Sequence, residues 1–450
     1  MQEKQQQKLS MAEKFAYAMG DCGANVYVAV TSTFLTALYT DTAGIAAAAV
    51  GTMMLVTRVF DGGSDLIMGA VVDKTKTRWG KARPWLLWSA PLMAIGFILL
   101  MNIPSGFSSG GKLVYAYVTY IFMNCIVYTM NNLPYNALLS RMTLDVQDRA
   151  SASSIRFFMT QLLTLILNAV TANLVSSVGW FTLSIVYSII MALMLVLCFL
   201  GTKEHVGEDA DSGNVKVEKV PLKVALPALL KNRYFFIEAL MFCVLYIGIV
   251  GSGTLGYYYC NIILNDVTLV TFVSMGTTIP AMITNIAVPK LVSRFGKWKL
   301  MITGCILMLV GSLVIGVANT NFALVVIGLV IKGFGMGPIM SGIFAMAADV
   351  VDYGEWKTGI RSEGLVNSCT SFGMKVGIGL GSAVATGVLS LGKYDGTLAV
   401  QPDSAVSAIR FGFGNMGAII AVVLLILCIL MNIDKYIDDI QRDLTAKHAS

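Results

Sequence analysis

Residues 58–84 read R-V-F-D-G-G-S-D-L-I-M-G-A-V-V-D-K-T-K-T-R-W-G-K-A-R-P. The first half of this stretch belongs to a long apolar run, yet it contains Arg58, Asp61 and Asp65. Side chains spaced three and four positions apart lie on one face of a helix. Charged groups inside an apolar helix are costly, so they are rare there and usually functional. We therefore expect this face to bind a cation within a membrane.

The second half of the stretch is strongly basic and belongs in water. It carries five lysine and arginine residues, at positions 74, 76, 78, 81 and 83. Between the two aspartates, Gly62, Gly63 and Ser64 have small side chains that allow another backbone to approach closely. The stretch thus predicts a packed helix that leaves the membrane where the basic cluster begins.

The composition of the whole chain indicates an integral membrane protein. Of its 450 residues, 56% are hydrophobic and 13% are charged, whereas soluble domains have about 25% charged residues. The mean hydropathy is +0.73. A helix that crosses a bilayer needs about 20 apolar residues, so a chain of this length has room for roughly a dozen crossings.

The apolar runs predict an all-α membrane protein of about twelve spans in two six-helix halves. We predict an N-terminal half at residues 1–200, a central cytoplasmic loop at 201–233, a C-terminal half at 234–433 and a cytoplasmic tail at 434–450. Ser10 and Glu13 fit a capping box that starts the first span. The predicted spans are residues 11–38, 44–72, 85–102, 112–132, 153–178, 181–200, 234–260, 269–292, 300–317, 322–347, 362–391 and 411–433.

The loops predict the orientation and a repeat. Most lysines and arginines follow the even-numbered spans, whereas the other loops carry few beyond Lys112, Lys393 and Arg410. By the positive-inside rule, both termini are expected in the cytoplasm. R-W-G-K at residues 78–81 follows the second span, and R-F-G-K at 294–297 follows the eighth. Two six-span halves of the same orientation are the architecture of the major facilitator superfamily.

Four segments carry a more specific resemblance. They are D-x-x-S-D-x-x-M-G with R-W-G-K-x-R-P at residues 61–84, Y-T-x-N-N-L-P-Y at 128–135, R-F-F at 156–158, and A-D-V-V-D-Y-G-E-W-K-x-x-x-R-x-E at 348–363. In order and spacing they resemble the glycoside–pentoside–hexuronide:cation symporters, the family of the melibiose permease. The resemblance implies a sugar or glycoside carried inward with a cation by alternating access.

The resemblance also implies which residues hold the cation. Asp61, Ser64, Asp65 and Thr129 match the family's cation site, in which the melibiose permease has an asparagine at the position of Ser64. The residue types agree, because Na⁺ prefers oxygen ligands and the two aspartates would be its metal ligands. In the absence of a cation, two neighbouring carboxylates repel and one takes a proton. Both Na⁺ and H⁺ therefore remain open as the coupling ion, and no other cofactor is expected.

Six positions match the family's sugar site: Asn25, Asn132, Asn136, Arg156, Met340 and Lys375. The two basic residues are retained, whereas Asn25 and Asn132 replace acids and Asn136 and Met340 replace tryptophans of the melibiose permease. Loss of the acids leaves Arg156 and Lys375 without obvious acidic partners. A uronate carboxylate is expected to pair with either residue, so a hexuronide is one prediction. Neutral xylosides and other glycosides are the alternative. Lys332, in the tenth span, has no assigned role.

Charged residues after the predicted spans are candidates for a gate. Asp349, Asp352 and Glu355 follow the tenth span, and Arg141 and Arg149 follow the fourth. Opposite charges on facing loops are expected to close the cytoplasmic side and to separate when it opens. The basic residues are equally explained by the positive-inside rule, which gives no reason for the acids.

Other classes of function fit the sequence less well. An intramembrane enzyme would need a nucleophile with a base, but both histidines of the chain fall in polar segments. A major facilitator carrier of a non-sugar solute such as a lipid or drug is the second alternative, and a sugar receptor without transport is the third. We expect a membrane protein that contacts lipid, binds a sugar and a cation, binds no nucleic acid and functions as a monomer in the cytoplasmic membrane.

Overall fold

A computed structural model of the chain describes residues 8–143, 145–205, 232–358, 363–398, 400–437, 439–440 and 442–443. Every regular element among these residues is a helix, which confirms the all-α class. Nine helical segments of the described ranges are long and apolar enough to cross a membrane. The predicted number of twelve crossings and the cytoplasmic position of the termini stay predictions.

Helices of the first part of the chain run as follows: α1 Met11–Ala37, α2 Ala47–Lys74, α3 Arg83–Met101, α4 Ser109–Ile121, α5 Thr129–Met142 and α6 Val146–Gly201. A π-helical turn, Leu38–Thr42, extends α1, and another, Phe122–Tyr128, joins α4 to α5. The helices α4 and α5 therefore form one continuous span.

The later helices are α7 Arg233–Tyr258, α8 Val270–Phe295, α9 Lys297–Val317, α10 Phe322–Thr358, α11 Glu363–Leu391 and α12 Asp403–Leu430. A π-helical turn, Tyr259–Ile263, extends α7, and short 3₁₀ turns lie at Val267–Leu269 and Ile433–Lys435.

The start of α1 confirms the predicted capping box. Ser10 accepts a hydrogen bond from the backbone N–H of Glu13, and the Glu13 side chain accepts one from the N–H of Ser10. The first turn is also fixed from α6, because Asp148 accepts hydrogen bonds from the Leu9 N–H and from the Lys14 ammonium group at 2.8 and 2.7 Å. The helix thus begins at a defined residue.

The long helix α6 is broken in its middle at Gly179. This residue has φ +75° and ψ 165°, a conformation that only glycine adopts without strain. The two straight parts correspond to the two spans predicted at residues 153–178 and 181–200.

Several helices extend beyond the apolar runs that predicted them. The prediction ended the fourth span at residue 132 and the tenth at 347, but α5 continues to Met142 and α10 to Thr358. The last span begins at Asp403 instead of 411, so Arg410 lies in a helix and not in a loop. Polar residues mark the end of an apolar run, but they do not interrupt the backbone hydrogen bonds of a helix. Hydropathy therefore predicts the length of the apolar run and not the length of the helix.

The described chain consists of two compact units, Met1–Lys216 with Asp395–Thr397, and Val217–Tyr394 with Leu398–Ser450. In the first unit α6 packs along α1 and α3, and in the second α10 packs along α8 and α9. Close packing in the second unit depends on glycine. A methyl group on Gly335 would collide with the carbonyl oxygen of Gly304 across the contact of α10 with α9. Small residues thus let these two helices pack closely.

Candidate functional site

The structure brings the four predicted cation-site residues together around the hydroxyl group of Thr129. Thr129 Oγ1 lies 3.4 Å from Oδ1 of Asp61 and 3.4 Å from Oδ1 of Asp65. Its distance to Ser64 Oγ is also 3.4 Å. Asp61 is 4% exposed and Thr129 is 3% exposed. Two carboxylates and two hydroxyls thus meet in the first unit, with Asp61 and Thr129 buried and Ser64 and Asp65 partly exposed.

Local backbone structure explains this convergence. Asp61, Ser64 and Asp65 project from one face of α2, as their spacing predicts. Thr129 is the first residue of α5, directly after the π-helical turn. Its hydroxyl donates to the carbonyl oxygen of Asn124, five residues earlier, at 3.3 Å. Widened turns of this kind are frequent at functional sites because they redirect side chains.

Arg58 compensates one of the two negative charges. Its Nη1 lies 3.4 Å from Oδ2 of Asp61, and the side chains are 17% and 5% exposed. Arg58 thus pairs with Asp61 beside the position where both aspartates approach Thr129. No group of three or more histidine, cysteine, aspartate or glutamate side chains that could hold a metal ion occurs in the described ranges. The chemistry of the site is that of hard oxygen ligands.

A second polar cluster surrounds Arg156 on α6. Its Nη1 lies 3.4 Å from the hydroxyl oxygen of Tyr17 and 3.3 Å from Oδ1 of Asn136. Asn136 in turn donates from Nδ2 to Oδ1 of Asn132 at 3.1 Å. Three of the six predicted sugar-site residues thus form one hydrogen-bonded chain between α5 and α6.

Asp21 belongs to the same cluster, which corrects a prediction. Its Oδ2 lies 3.7 Å from Nε of Arg156 and accepts a hydrogen bond of 2.9 Å from Thr160. The expectation that Arg156 has no acidic partner is therefore wrong. The error arose because the acids of the family's sugar site were matched only to positions 25 and 132, although Asp21 lies one turn before Asn25 on α1. Asn25 donates from Nδ2 to the Asp21 carbonyl oxygen at 2.9 Å and so shares this face.

The two other predicted sugar residues lie in the second unit, Met340 on α10 and Lys375 on α11, and both are partly exposed there. Lys332, also on α10, donates to Ser252 Oγ at 2.9 Å and is 6% exposed.

The predicted gate residues lie on helices rather than on loops. Asp349, Asp352 and Glu355 occupy the extension of α10 beyond the predicted span. Asp349 forms an ion pair with Lys297, the first residue of α9, inside the same unit.

The basic residues of the predicted gate flank the connection between α5 and α6. Arg141 lies in the last turn of α5. Arg149 donates from Nε to the Thr143 carbonyl oxygen at 2.8 Å and from Nη2 to that of Ser140 at 3.3 Å. One function of Arg149 is therefore to fix this turn.

Sequence reasoning missed Glu204, which organises the basic loop before α3. Its carboxylate accepts hydrogen bonds from the backbone N–H groups of Lys81, Ala82 and Arg83, at 3.1, 2.8 and 3.0 Å. An acid at a helix N-terminus is favourable because the free N–H groups and the helix dipole both attract it. Gly80, with φ +105°, lies against this carboxylate. Glu204 is one of several acids in a polar segment, and no periodic signal distinguishes it from the others.

Comparison with known proteins agrees with this architecture. Residues 16–435 match the family described as MFS/sugar transport protein. The isoprimeverose transporter of Lactiplantibacillus pentosus is 33% identical over 97% of this chain and 92% of its own length. The glucuronide carrier protein homolog of Escherichia coli K12 is 33% identical over 90% of this chain and 88% of its own length. The inner membrane symporter YicJ of the same organism is 30% identical, over 89% and 87% respectively.

Solved structures show the same fold at low sequence identity. A variant of the nucleoside transporter NupG superposes with a TM-score of 0.66 at 14% identity, covering 92% of this chain and 99% of the other. A bacterial homolog of the human lysosomal transporter Spinster, in an inward-facing and unoccupied conformation, gives 0.65 at 13% identity, covering 94% and 95%. These findings confirm the predicted major facilitator fold and the expectation of a transporter instead of an enzyme. The chain belongs to the MFS/sugar transport protein family, and it is a multi-pass membrane transporter.

Proposed function

We propose that the chain carries a sugar or glycoside together with a monovalent cation by alternating access in the cytoplasmic membrane. The observation that carries this proposal is the meeting of Asp61, Ser64, Asp65 and Thr129 at one buried hydroxyl group. Thr129 and Asn132 are one turn apart on α5. Binding of the cation at Thr129 therefore positions the helix that also presents Asn132 to the sugar.

Na⁺ is the ion that the oxygen ligands favour. The site offers two carboxylates and two hydroxyls as oxygen ligands. A proton needs only one carboxylate, whereas the convergence of Ser64 and Thr129 hydroxyls supplies the additional oxygens that Na⁺ requires. Proton coupling is the alternative outcome of the test below.

The sugar is proposed to bind at the cluster of Asn25, Asn132, Asn136 and Arg156. Amide and guanidinium groups supply both donors and acceptors, which suits the hydroxyl groups of a sugar better than the apolar surface of a lipid or drug. Met340 and Lys375 are proposed as further sugar-binding residues, as the family resemblance implies. The names of the relatives, an isoprimeverose transporter and a glucuronide carrier homolog, support a glycoside as the substrate class.

Asp349, Asp352, Glu355, Arg141 and Arg149 are proposed to contribute to the cytoplasmic gate. The pairing of Asp349 with Lys297 supports a role for this end of α10 in holding helices together. Neutralising Asp349 and Asp352 is expected to raise cysteine labelling of the cytoplasmic cavity in the resting transporter. Unchanged labelling and unchanged transport would refute this role.

Uptake into proteoliposomes tests the proposed function. Purified protein is reconstituted, and entry of labelled isoprimeverose or labelled phenyl glucuronide is followed with an inward gradient of Na⁺, of H⁺ or of neither. We expect accumulation of at least one sugar with the Na⁺ gradient. Accumulation with the H⁺ gradient alone would make the proton the coupling ion. Entry without dependence on either gradient would refute symport, and no entry of either sugar would refute the substrate class.

A further inference from the structure

Asp21 and Arg156 form a partly buried ion pair between α1 and α6. Asp21 Oδ2 lies 3.7 Å from Arg156 Nε, and the side chains are 20% and 30% exposed. Thr160, one turn after Arg156, donates to the same carboxylate oxygen at 2.9 Å. Arg156 and Thr160, both on α6, therefore hold the Asp21 carboxylate in place.

The ion pair has one donor group and one acceptor group beyond those that make these contacts. In the part of the chain that the structure describes, Arg156 makes its contacts through Nε and Nη1, and Asp21 makes its contacts through Oδ2. Nη2 of Arg156 and Oδ1 of Asp21 therefore remain for a ligand. A sugar hydroxyl both donates and accepts a hydrogen bond, so the hydroxyls of a sugar suit both groups.

The charge of the pair decides which sugars fit. A uronide brings a carboxylate, which binds well only where a positive charge is uncompensated. Here the charge of Arg156 is balanced by Asp21, and the neighbouring Asn132 and Asn136 add none. Lys375 is the same in the wild-type protein and in every variant compared below, so a change between them reports the charge at Asp21. A second carboxylate beside Asp21 would be repelled, and repulsion is strong in a partly buried site.

We propose that Asp21 determines which sugars bind at this site according to their charge. Its pairing with Arg156 selects uncharged glycosides and excludes uronides. This inference rests on the proposed function, because it assigns a substrate class to the proposed sugar site. The relatives do not decide the matter, since isoprimeverose is uncharged, a glucuronide carries a carboxylate, and both relatives are 33% identical to this chain. The ion pair of Asp21 with Arg156 is therefore the observation on which the choice between an uncharged glycoside and a uronide rests.

Selectivity measured in proteoliposomes tests the proposal. The initial uptake rates of labelled isoprimeverose and labelled phenyl glucuronide are measured over a range of concentrations, and the ratio of kcat/KM for the two sugars is compared. The wild-type protein is expected to favour isoprimeverose by at least about tenfold. Asp21→Asn leaves Arg156 uncompensated and is expected to shift the ratio at least about tenfold toward the glucuronide.

Two matched variants separate charge from structure. Asp21→Glu keeps the negative charge and is expected to keep the preference for isoprimeverose. Asp403→Asn removes the same charge from an exposed position at the start of α12 and is expected to leave the ratio unchanged. If Asp21→Asn does not fold, Thr160→Val, which removes a hydrogen bond that positions Asp21, is expected to shift the ratio in the same direction.

The outcomes distinguish this inference from the proposed function. A wild-type protein that prefers the glucuronide overturns the inference while sugar transport stands. An unchanged ratio in a folded Asp21→Asn variant also overturns it. Failure of the wild-type protein to take up either sugar overturns the proposed substrate class, and the inference with it.

Discussion

Ser64 and Thr129 place their hydroxyl oxygens 3.4 Å apart, although 65 positions separate them in the chain. Neither residue is charged, so neither stands out in a hydropathy analysis. Their proximity to two aspartates gives both hydroxyls a position in which each can turn a lone pair toward a cation. This contact links α2 to α5, and through α5 it links the proposed cation position to Asn132.

Replacing the hydroxyl of Thr129 tests its role as a cation ligand. Thr129→Val keeps the shape of the side chain and removes one oxygen, so the apparent affinity for Na⁺ is expected to fall at least about tenfold. The measurement is the Na⁺ concentration that gives half of the maximal sugar uptake, together with the rise of melting temperature with Na⁺.

Thr57→Val is the matched control for this change. Thr57 is fully buried on α2, and its hydroxyl donates to the Met53 carbonyl oxygen of the same helix at 2.8 Å. Its replacement is expected to leave the Na⁺ dependence unchanged. Equal Na⁺ dependence in Thr129→Val and in the wild-type protein would remove Thr129 from the cation site.

Glu204 is expected to stabilise the first unit by holding the loop before α3. Glu204→Ala leaves three backbone N–H groups without their acceptor, and we expect a loss of about 2–3 kcal/mol and a lower melting temperature. Gly80→Ala should have a similar effect, because its φ of +105° is strained for alanine and its methyl group would collide with the Glu204 carboxylate. Lys203→Ala, at an exposed neighbouring position, is the control. Equal melting temperatures for Glu204→Ala and this control would contradict the assignment.

The contact of Asp148 with the start of α1 is expected to make stability depend on pH. The hydrogen bond from the Lys14 ammonium group, followed by that from the Leu9 N–H, lowers the pKa of Asp148 below its ordinary value. A carboxyl group with a lowered pKa in the folded state stabilises the fold above its unfolded pKa of about 3.9, and this contribution is lost as the pH falls through the folded value.

Asp148→Asn is therefore expected to be less stable than the wild-type protein at pH 7 by about 1–3 kcal/mol. The difference in melting temperature should shrink below about pH 4. Asp403→Asn serves as the control for loss of one acidic charge. A difference that is constant from neutral to acidic pH would show that the effect is not electrostatic.

The sequence was sufficient to predict the fold class and the proximity of Asp61 and Asp65 on one helix face. Asp61 and Asp65 are recognisable because helical spacing and burial of charge are both visible in a sequence. The pairing of Asp21 with Arg156 could not be predicted from the sequence. It depends on the rotation of α1 against α6, which the periodicity of apolar residues does not determine.

The length of the polar helix ends could not be predicted from the sequence either. Asp349, Asp352 and Glu355 follow an apolar run, but α10 continues through them because its backbone hydrogen bonds do not depend on the membrane. Glu204 was missed for a related reason: the groups that bind it are backbone N–H groups, which every sequence contains.

The central claim is that Asp61 and Asp65 couple a cation gradient to sugar entry. Its most direct test is uphill uptake of labelled isoprimeverose or phenyl glucuronide into proteoliposomes under an imposed Na⁺ or H⁺ gradient, in the wild-type protein and in the variants Asp61→Asn and Asp65→Asn. We predict gradient-driven accumulation in the wild-type protein and its loss in both variants, with sugar exchange at equal cation concentrations retained at least in part. Intact gradient-driven accumulation in both variants would contradict the account.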